Sequence, residues 1–325
     1  MYGDVWRWCA MRILMIAIND PAGTAIAFTK AINRYTEHSC RLVTKAVRYN
    51  FMFEKDLHLP WLAQEGWDEV EELLRISDVF HFHMTADESI ALGPLRPANY
   101  LQGKLIVHHH HGHPDFRANP EKYRRKYKER GRRNLLVSTP DLLKLLPEAK
   151  WQPNLVPIQD PLYTPLENKP DIPVVICHSP TRKDLKNTAE FLHATGELKR
   201  RSNISIERRL IENTPHRECL RLKRASHILF DHLQGYYGVS SLEGLSQGLC
   251  VIAGLDEWNR QHILEFIGAR ELPWITPSAQ GLWRSMETLV QNPQLLSAQN
   301  RQSRRFMEVH WSDERISRQL VQSYQ

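Results

Sequence analysis

Apolar and polar positions alternate in short blocks along the first half of the chain. Apolar runs at 13–18, 41–45, 79–82, 104–108 and 135–138 are bounded by polar or glycine-bearing stretches and read as buried strands. Between them, 22–35 and 68–76 place apolar side chains at helical spacing. Such alternation predicts a parallel sheet with helices on both faces, because parallel neighbours need a crossover that packs on one face or the other. The stretch 160–171 is punctuated by Pro161, Pro165 and Pro170 without periodicity and reads as a linker. A second alternating unit follows, with strands at 173–177, 204–210, 227–230, 249–253 and 274–276. Its helices fall at 185–199, 217–225, 239–247 and 259–266. From 280 onward the pattern is mostly helical, and the segment from Trp311 to the end has one apolar face. The expectation is an α/β protein of two doubly wound, Rossmann-like domains, 11–165 and 170–310, facing a cleft with ligands beyond the strand ends.

Composition agrees with two cores. The 325 residues are 42% hydrophobic and 25% charged, and the chain is long for a single core. A formal charge of +6 fits an anionic substrate or an acidic membrane surface, and equally an ordinary basic surface. Five cysteines are scattered without metal-ligand spacing, which points to a reducing cytoplasm. No run is apolar enough to span a bilayer, and Met11 reads as the natural start because a first strand begins there.

One stretch concentrates the chemistry. A strand ending at Phe230 leads into a loop broken by Gly235 and Gly238, then a helix start, Glu243 and a second buried strand. Glycines let the backbone approach a ligand, and a helix start offers unpaired N–H groups with partial positive charge. The amides of Gly238, Val239 and Ser240 are then placed to meet phosphates, with Gly235 and Tyr237 in the same loop. Glu243, about a turn later, can accept hydrogen bonds from ribose hydroxyls; the alternative is an ordinary exposed helix acid. Arg182 and Lys186 follow a strand and open a helix, where two cations can neutralise a diphosphate and stabilise it as it leaves. A solvated basic helix start, with Lys183 beside them, is the other reading. No Asp-x-Asp pair of the kind that holds a cation occurs.

With these residues in view, the chain resembles the GT-B glycosyltransferases, in particular glycosyltransferase family 4. The stretch His178–Thr188, with Arg182 and Lys186, is similar to the family's strand end followed by Arg and Lys-Gly; Asn187 stands where the family has glycine. The stretch 225–253 looks like its nucleotide-sugar loop, and Trp311-Ser312 like its closing segment. Asn19-Asp20-Pro21-Ala22-Gly23-Thr24 resembles, in shortened form, its glycine loop after strand one, which places Gly23 at the donor. The resemblance implies retaining transfer of a sugar from a nucleoside-diphosphate donor, with no cofactor and no metal. It also implies an acceptor mainly on the first domain, and a final helix, 311–325, that packs back on that domain. One acid is missing: the family's first glutamate, eight positions before Glu243, corresponds to Gly235, so the donor sugar is not legible. That gap motivates the alternative of a non-catalytic GT-B-like binding partner in a glycan-assembly complex.

Two further stretches invite chemistry. The run His108-His109-His110-His111-Gly112-His113 could suggest a metal, but adjacent residues of a strand point to opposite faces and cannot all reach one ion. The family's His-Gly pair instead implies His111 at the cleft, near the reacting hydroxyl; a satisfied structural histidine is the equal alternative. The same choice is open for His81 and His83, where the structural reading leads. The basic run from Lys122 to Arg133 would give a cationic helix face with Tyr123 and Tyr127. It fits contact with an anionic membrane during assembly of cell-surface glycans, or a solvated helix. Nucleic-acid binding would want a known module or aromatic platforms, and none is visible.

Overall fold

The computed structural model describes residues 10–47, 53–277 and 281–324. In the first half the strands are β1 (Arg12–Ala17), β2 (Ser39–Thr44), β3 (Leu57–His58), β4 (Val79–His83), β5 (Leu105–His110), β6 (Asn134–Val137) and β7 (Lys150–Trp151). The helices among them are α1 (Thr24–Tyr35), α2 (Gln64–Ile76), α3 (Pro114–Ala118) and α4 (Pro120–Glu129). These strands pair in parallel in the order β3-β2-β1-β4-β5-β6-β7, so the order reverses at β1. The alternating residues of β1 explain why both faces are covered. Ile13, Met15 and Ala17 pack with Ala25, Phe28 and Ile32 of α1, while Leu14 and Ile16 pack with Val70 and Leu74 of α2.

The second half contains β8 (Val174–His178), α5 (Thr188–Arg201), β9 (Ile206–Leu210), α6 (His216–Arg224), β10 (Ile228–Phe230), α7 (Val239–Ser246), β11 (Cys250–Ile252) and α8 (Glu257–Ile267). It closes with α9 (Leu282–Gln291), α10 (Pro293–His310) and α11 (Asp313–Gln322). The sheet order is β11-β10-β8-β9, all parallel, and the reversal here falls at β8. Two parallel sheets with helices between their strands bear out the α/β doubly wound expectation. α11 returns to the first half, where Ile316 and Leu320 share a core with Phe28 and Ile32, and Tyr35 bonds Asp313 at 3.2 Å.

Trp311, between α10 and α11, is fully buried at the junction of the halves. Its indole N–H donates to the Asn154 carbonyl at 2.9 Å, and its ring lies near those of Trp151, Tyr237, Trp274 and Phe306.

Several expected boundaries move for local reasons. The helix expected at 185–199 begins at Thr188, because Asn187 adopts a left-handed φ of 53° after a single 3₁₀ turn over Lys183–Leu185. The strand expected at 274–276 is reduced to a bridge between Ile275 and Ile252. The two-residue strands β3 and β7 carry too little periodicity to be seen in the sequence. The stretch 160–171 is proline-rich but not free: Tyr163 is buried, and its carbonyl and that of Leu162 accept from Ser246 and Gln247 at the end of α7.

Candidate functional site

The loop between β10 and α7 closes on a carboxylate that the sequence pattern left beside the gap. Asp231 is fully buried, and its Oδ2 accepts from the Gly238 amide and the Ser241 hydroxyl, both at 2.7 Å. Lys186 stands 3.4 Å from its Oδ1. Burial alone would raise this carboxyl, but the adjacent His232 ring, the Lys186 ammonium and the two hydrogen bonds outweigh it and hold it well below the usual range. The Gly238 amide, expected to meet a phosphate, is therefore engaged within the loop. The amides of Val239 and Ser240 remain at a helix start that no side chain caps. A Cβ at Gly238 would lie 3.1 Å from both Lys186 Nζ and Asp231 Oδ2, so a side chain there would press on that ion pair.

Gly235, the position of the missing acid, has φ +89°, and its carbonyl accepts from the Asp256 amide at 2.8 Å. A side chain there would be strained in the left-handed region and would come within 3.3 Å of the Asp256 carboxylate. Gly235→Glu is thus expected to lower stability by about 1–3 kcal/mol, read by urea denaturation. An unchanged urea midpoint would show that the loop can re-route around an acid.

Glu243 projects from α7 and is buried rather than exposed. Oε1 accepts from His216 Nε2 at 2.8 Å, and Oε2 pairs with the buried Lys223 ammonium, which also donates to Ser240 Oγ at 2.8 Å. Burial acts to raise the Glu243 carboxyl; Lys223 and His216 overcome it and bring it down to about 2, so it is an ionised acceptor at neutral pH. Glu243, Val239 and Ser240 border a cavity of about 390 Å³. Its other walls are Pro21 and Ala22 from the β1–α1 loop, Ser179–Thr181 after β8, and residues 211–216 after β9. Phe53 stacks on His216 with ring centroids 3.9 Å apart, so both halves of the chain contribute to the enclosure. A larger cavity, about 970 Å³ beside Lys169, Val290 and Arg304, contains none of the expected site residues.

The remaining candidates divide. Lys186 stands over the helix start. Arg182 instead pairs with Asp184 at the surface. Asn187 adopts the left-handed φ that favours glycine, and its Oδ1 accepts from the Leu233 amide at 2.9 Å. Gly23, with φ +65°, begins α1, and a Cβ there would collide with the Phe53 ring; its neighbours Pro21 and Ala22, not Gly23 itself, border the cavity. Tyr237 is turned away from the cavity, buried against Trp274 and Trp311.

His111 lies just past β5 and does not border the 390 Å³ cavity. Both its ring nitrogens are engaged, Nδ1 with Asn154 Oδ1 at 3.0 Å and Nε2 with His83 Nδ1 at 2.9 Å. Burial lowers it to about 4, so the ring is neutral at pH 7. The basic run is also changed by its surroundings. Tyr123 and Tyr127 face inward onto His110, and Lys122, Arg124, Lys126, Arg130 and Arg132 pair with Asp115, Glu148, Asp87 and Glu88. Among the described residues no helix is long and apolar enough to cross a membrane.

Sequence reasoning missed Asp231, His216, Lys223 and Phe53 as parts of this site. One signal was available. His216, Leu220 and Lys223 recur at helical spacing, which puts a lysine on the inner, apolar stripe of α6, where a cation needs a buried partner.

No protein-family description and no curated protein matches the chain. Solved structures match it over nearly its whole length. A glycosyltransferase from Rickettsia africae aligns with 98% of each chain at 13% identity and a TM-score of 0.62. HepE from Anabaena, in complex with UDP and glucose, aligns with 96% of this chain and 99% of its own at 12% identity and a TM-score of 0.66. WaaG, a glycosyltransferase involved in lipopolysaccharide biosynthesis, aligns with 94% and 98% at 10% identity and a TM-score of 0.56. The architecture of two parallel sheets is the one these GT-B structures share.

Proposed function

We propose that the chain is a glycosyltransferase of the family-4 kind, moving a sugar with retention from a nucleoside-diphosphate donor without a catalytic metal. The observation that carries this reading is the ionised, buried Glu243 on a cavity with walls from both halves, one turn along from an uncapped helix start. In this reading ribose hydroxyls donate to Glu243, and the base lies toward the backbone of residues 213–215. The diphosphate meets the Val239 and Ser240 amides and the Lys186 ammonium. As the anomeric carbon–oxygen bond breaks, negative charge grows on the leaving phosphate, where a helix start and a cation stabilise it most. The acceptor oxygen bonds to the anomeric carbon from the same side, and its proton passes to the departing phosphate oxygen. HepE, a structure of the same fold, is in complex with UDP and glucose, which supports a nucleotide sugar as the ligand. His111, with both ring nitrogens engaged, enters as a residue that orients the acceptor side. The ion pairs that Lys122, Arg124, Lys126, Arg130 and Arg132 make lessen the support that the basic run gives to an anionic membrane as the acceptor's location.

Calorimetry with UDP, GDP and ADP sugars tests the proposal, together with turnover measured with and without added Mg²⁺ or Mn²⁺. Binding of one nucleotide class and turnover indifferent to added metal are expected. Lys186→Ala should lower turnover about tenfold to a hundredfold, the scale of one charge-assisted hydrogen bond in the transition state. His111→Ala should lower turnover with donor affinity kept. No binding across the panel would sink the reading. Tight binding with no turnover on any acceptor would favour the non-catalytic partner, for which Gly235 in place of an acid is the supporting observation.

A further inference from the structure

Away from the nucleotide cavity, the first sheet brings three histidines together on one face. His81 and His83 are two residues apart on β4 and point the same way. Parallel pairing places His109 of β5 opposite His83, adding a third ring to that face. All three are buried, and one ring nitrogen from each lies within 4.8 Å of those from the other two. The objection that neighbours in a strand diverge applies within His108–His111, and β4 supplies what that run lacks.

Each ring is anchored by one nitrogen and leaves the other without a protein partner. His81 Nδ1 meets the Tyr324 hydroxyl at 2.6 Å, His109 Nε2 meets the Gln152 carbonyl at 3.1 Å, and His83 Nδ1 meets His111 Nε2 at 2.9 Å. The nitrogens with no hydrogen-bond partner are His81 Nε2, His83 Nε2 and His109 Nδ1. For His109 and His83 the partners fix the tautomers. A carbonyl only accepts, so His109 carries its proton on Nε2 and presents a bare lone pair on Nδ1. Asn154 Oδ1 likewise accepts from His111 Nδ1, which leaves His111 Nε2 to accept from His83 Nδ1 and makes His83 Nε2 a second bare lone pair. Outer nitrogens held by protein oxygens or a further imidazole, with one unpartnered nitrogen left on each ring of the cluster, is the arrangement that orients metal-bound histidines.

We propose that His81 Nε2, His83 Nε2 and His109 Nδ1 bind one divalent transition ion of the zinc class. Imidazole nitrogen is a borderline ligand suited to Zn²⁺, and three of them leave a fourth position open. Bond lengths of about 2.0–2.1 Å put tetrahedral ligand atoms roughly 3.4 Å apart, so the rings close inward by about an ångström on binding. The ion would pin β4 and β5 to the C-terminal segment, because Tyr324 holds His81 and the Gln152 side chain donates to the Ile316 carbonyl. None of these three histidines borders the cavity that Glu243 lines, and the test uses no sugar nucleotide.

The experiment is elemental analysis of untagged protein, stripped with chelator, reloaded with Zn²⁺ and desalted. One retained equivalent is expected, with a melting temperature several degrees above the stripped protein. The double variant H81Q/H109Q should lose both, while His193→Gln, at an exposed position, keeps both. X-ray absorption on the zinc-loaded wild type should count three imidazoles around the ion, independently of how any variant folds. No retained equivalent would overturn the proposal and leave the pocket to a buried water; so would fewer than three imidazoles, or retention by H81Q/H109Q.

Discussion

Glu243→Ala is expected to produce the largest loss of both stability and nucleotide affinity. Lys223 is buried beside it, and removing the carboxylate leaves that ammonium in a poorly solvated place where, among the described residues, Ser240 Oγ alone accepts from it. Breaking a buried pair in this way costs about 3–5 kcal/mol, and urea denaturation reads it. Nucleotide affinity should fall roughly ten- to a hundredfold, the scale of hydrogen bonds to a charged acceptor. Glu243→Ala with Lys223→Met should recover most of the stability and none of the affinity, which separates the two roles. Equal affinity in Glu243→Ala would remove the ribose from this carboxylate.

The same pair sets an acid dependence. The folded Glu243 carboxyl is brought down to about 2 and an unfolded glutamate titrates near 4.3, so the folded state binds its proton less readily. The stabilisation is fully present above the unfolded value and is lost as pH falls from about 4.5 toward 2. Asp231 is depressed in the same direction and adds to the same acid loss. In Glu243→Gln the urea midpoint should depend less on pH across that window; an identical pH profile would contradict the assignment.

Trp311→Ala should be nearly as damaging, by a different route. A fully buried indole replaced by alanine costs about 3–5 kcal/mol through lost burial and the cavity left behind. Here the cavity opens between the two halves, because the ring touches Trp151 of the first sheet and Trp274 and Tyr237 of the second half. Unfolding should therefore lose cooperativity as well as midpoint, with circular dichroism and intrinsic fluorescence no longer coincident. Trp311→Phe keeps most of the packing and leaves the Asn154 carbonyl unpaired, for a smaller loss of about 1–3 kcal/mol. A single coincident transition in Trp311→Ala, shifted by under 1 kcal/mol, would show that the halves are joined elsewhere.

The order of strands and helices was legible because burial imposes a period on each element by itself. The β10–α7 loop was legible for a similar reason: glycine, helix start and acid are neighbours in sequence. What lay outside that range was every relation between elements. Glu243 can be read as a candidate from its own segment, but its partners His216 and Lys223 come from α6 and Phe53 from the other half. Gly235 reads as a missing acid, whereas its φ and the Asp256 carboxylate show why a side chain is disfavoured there.

The histidines state the division most sharply. The sequence by itself determined that His81 and His83 share one face of a strand and that His109 and His111 share one face of another, because side chains alternate with period two. Only the tertiary structure decided that those faces are the same, through the register that sets His83 opposite His109 and the C-terminal return that brings Tyr324 to His81. Periodicity records that a face is buried and carries no record of what covers it; that choice is made by strand pairing and packing across long separations in the chain.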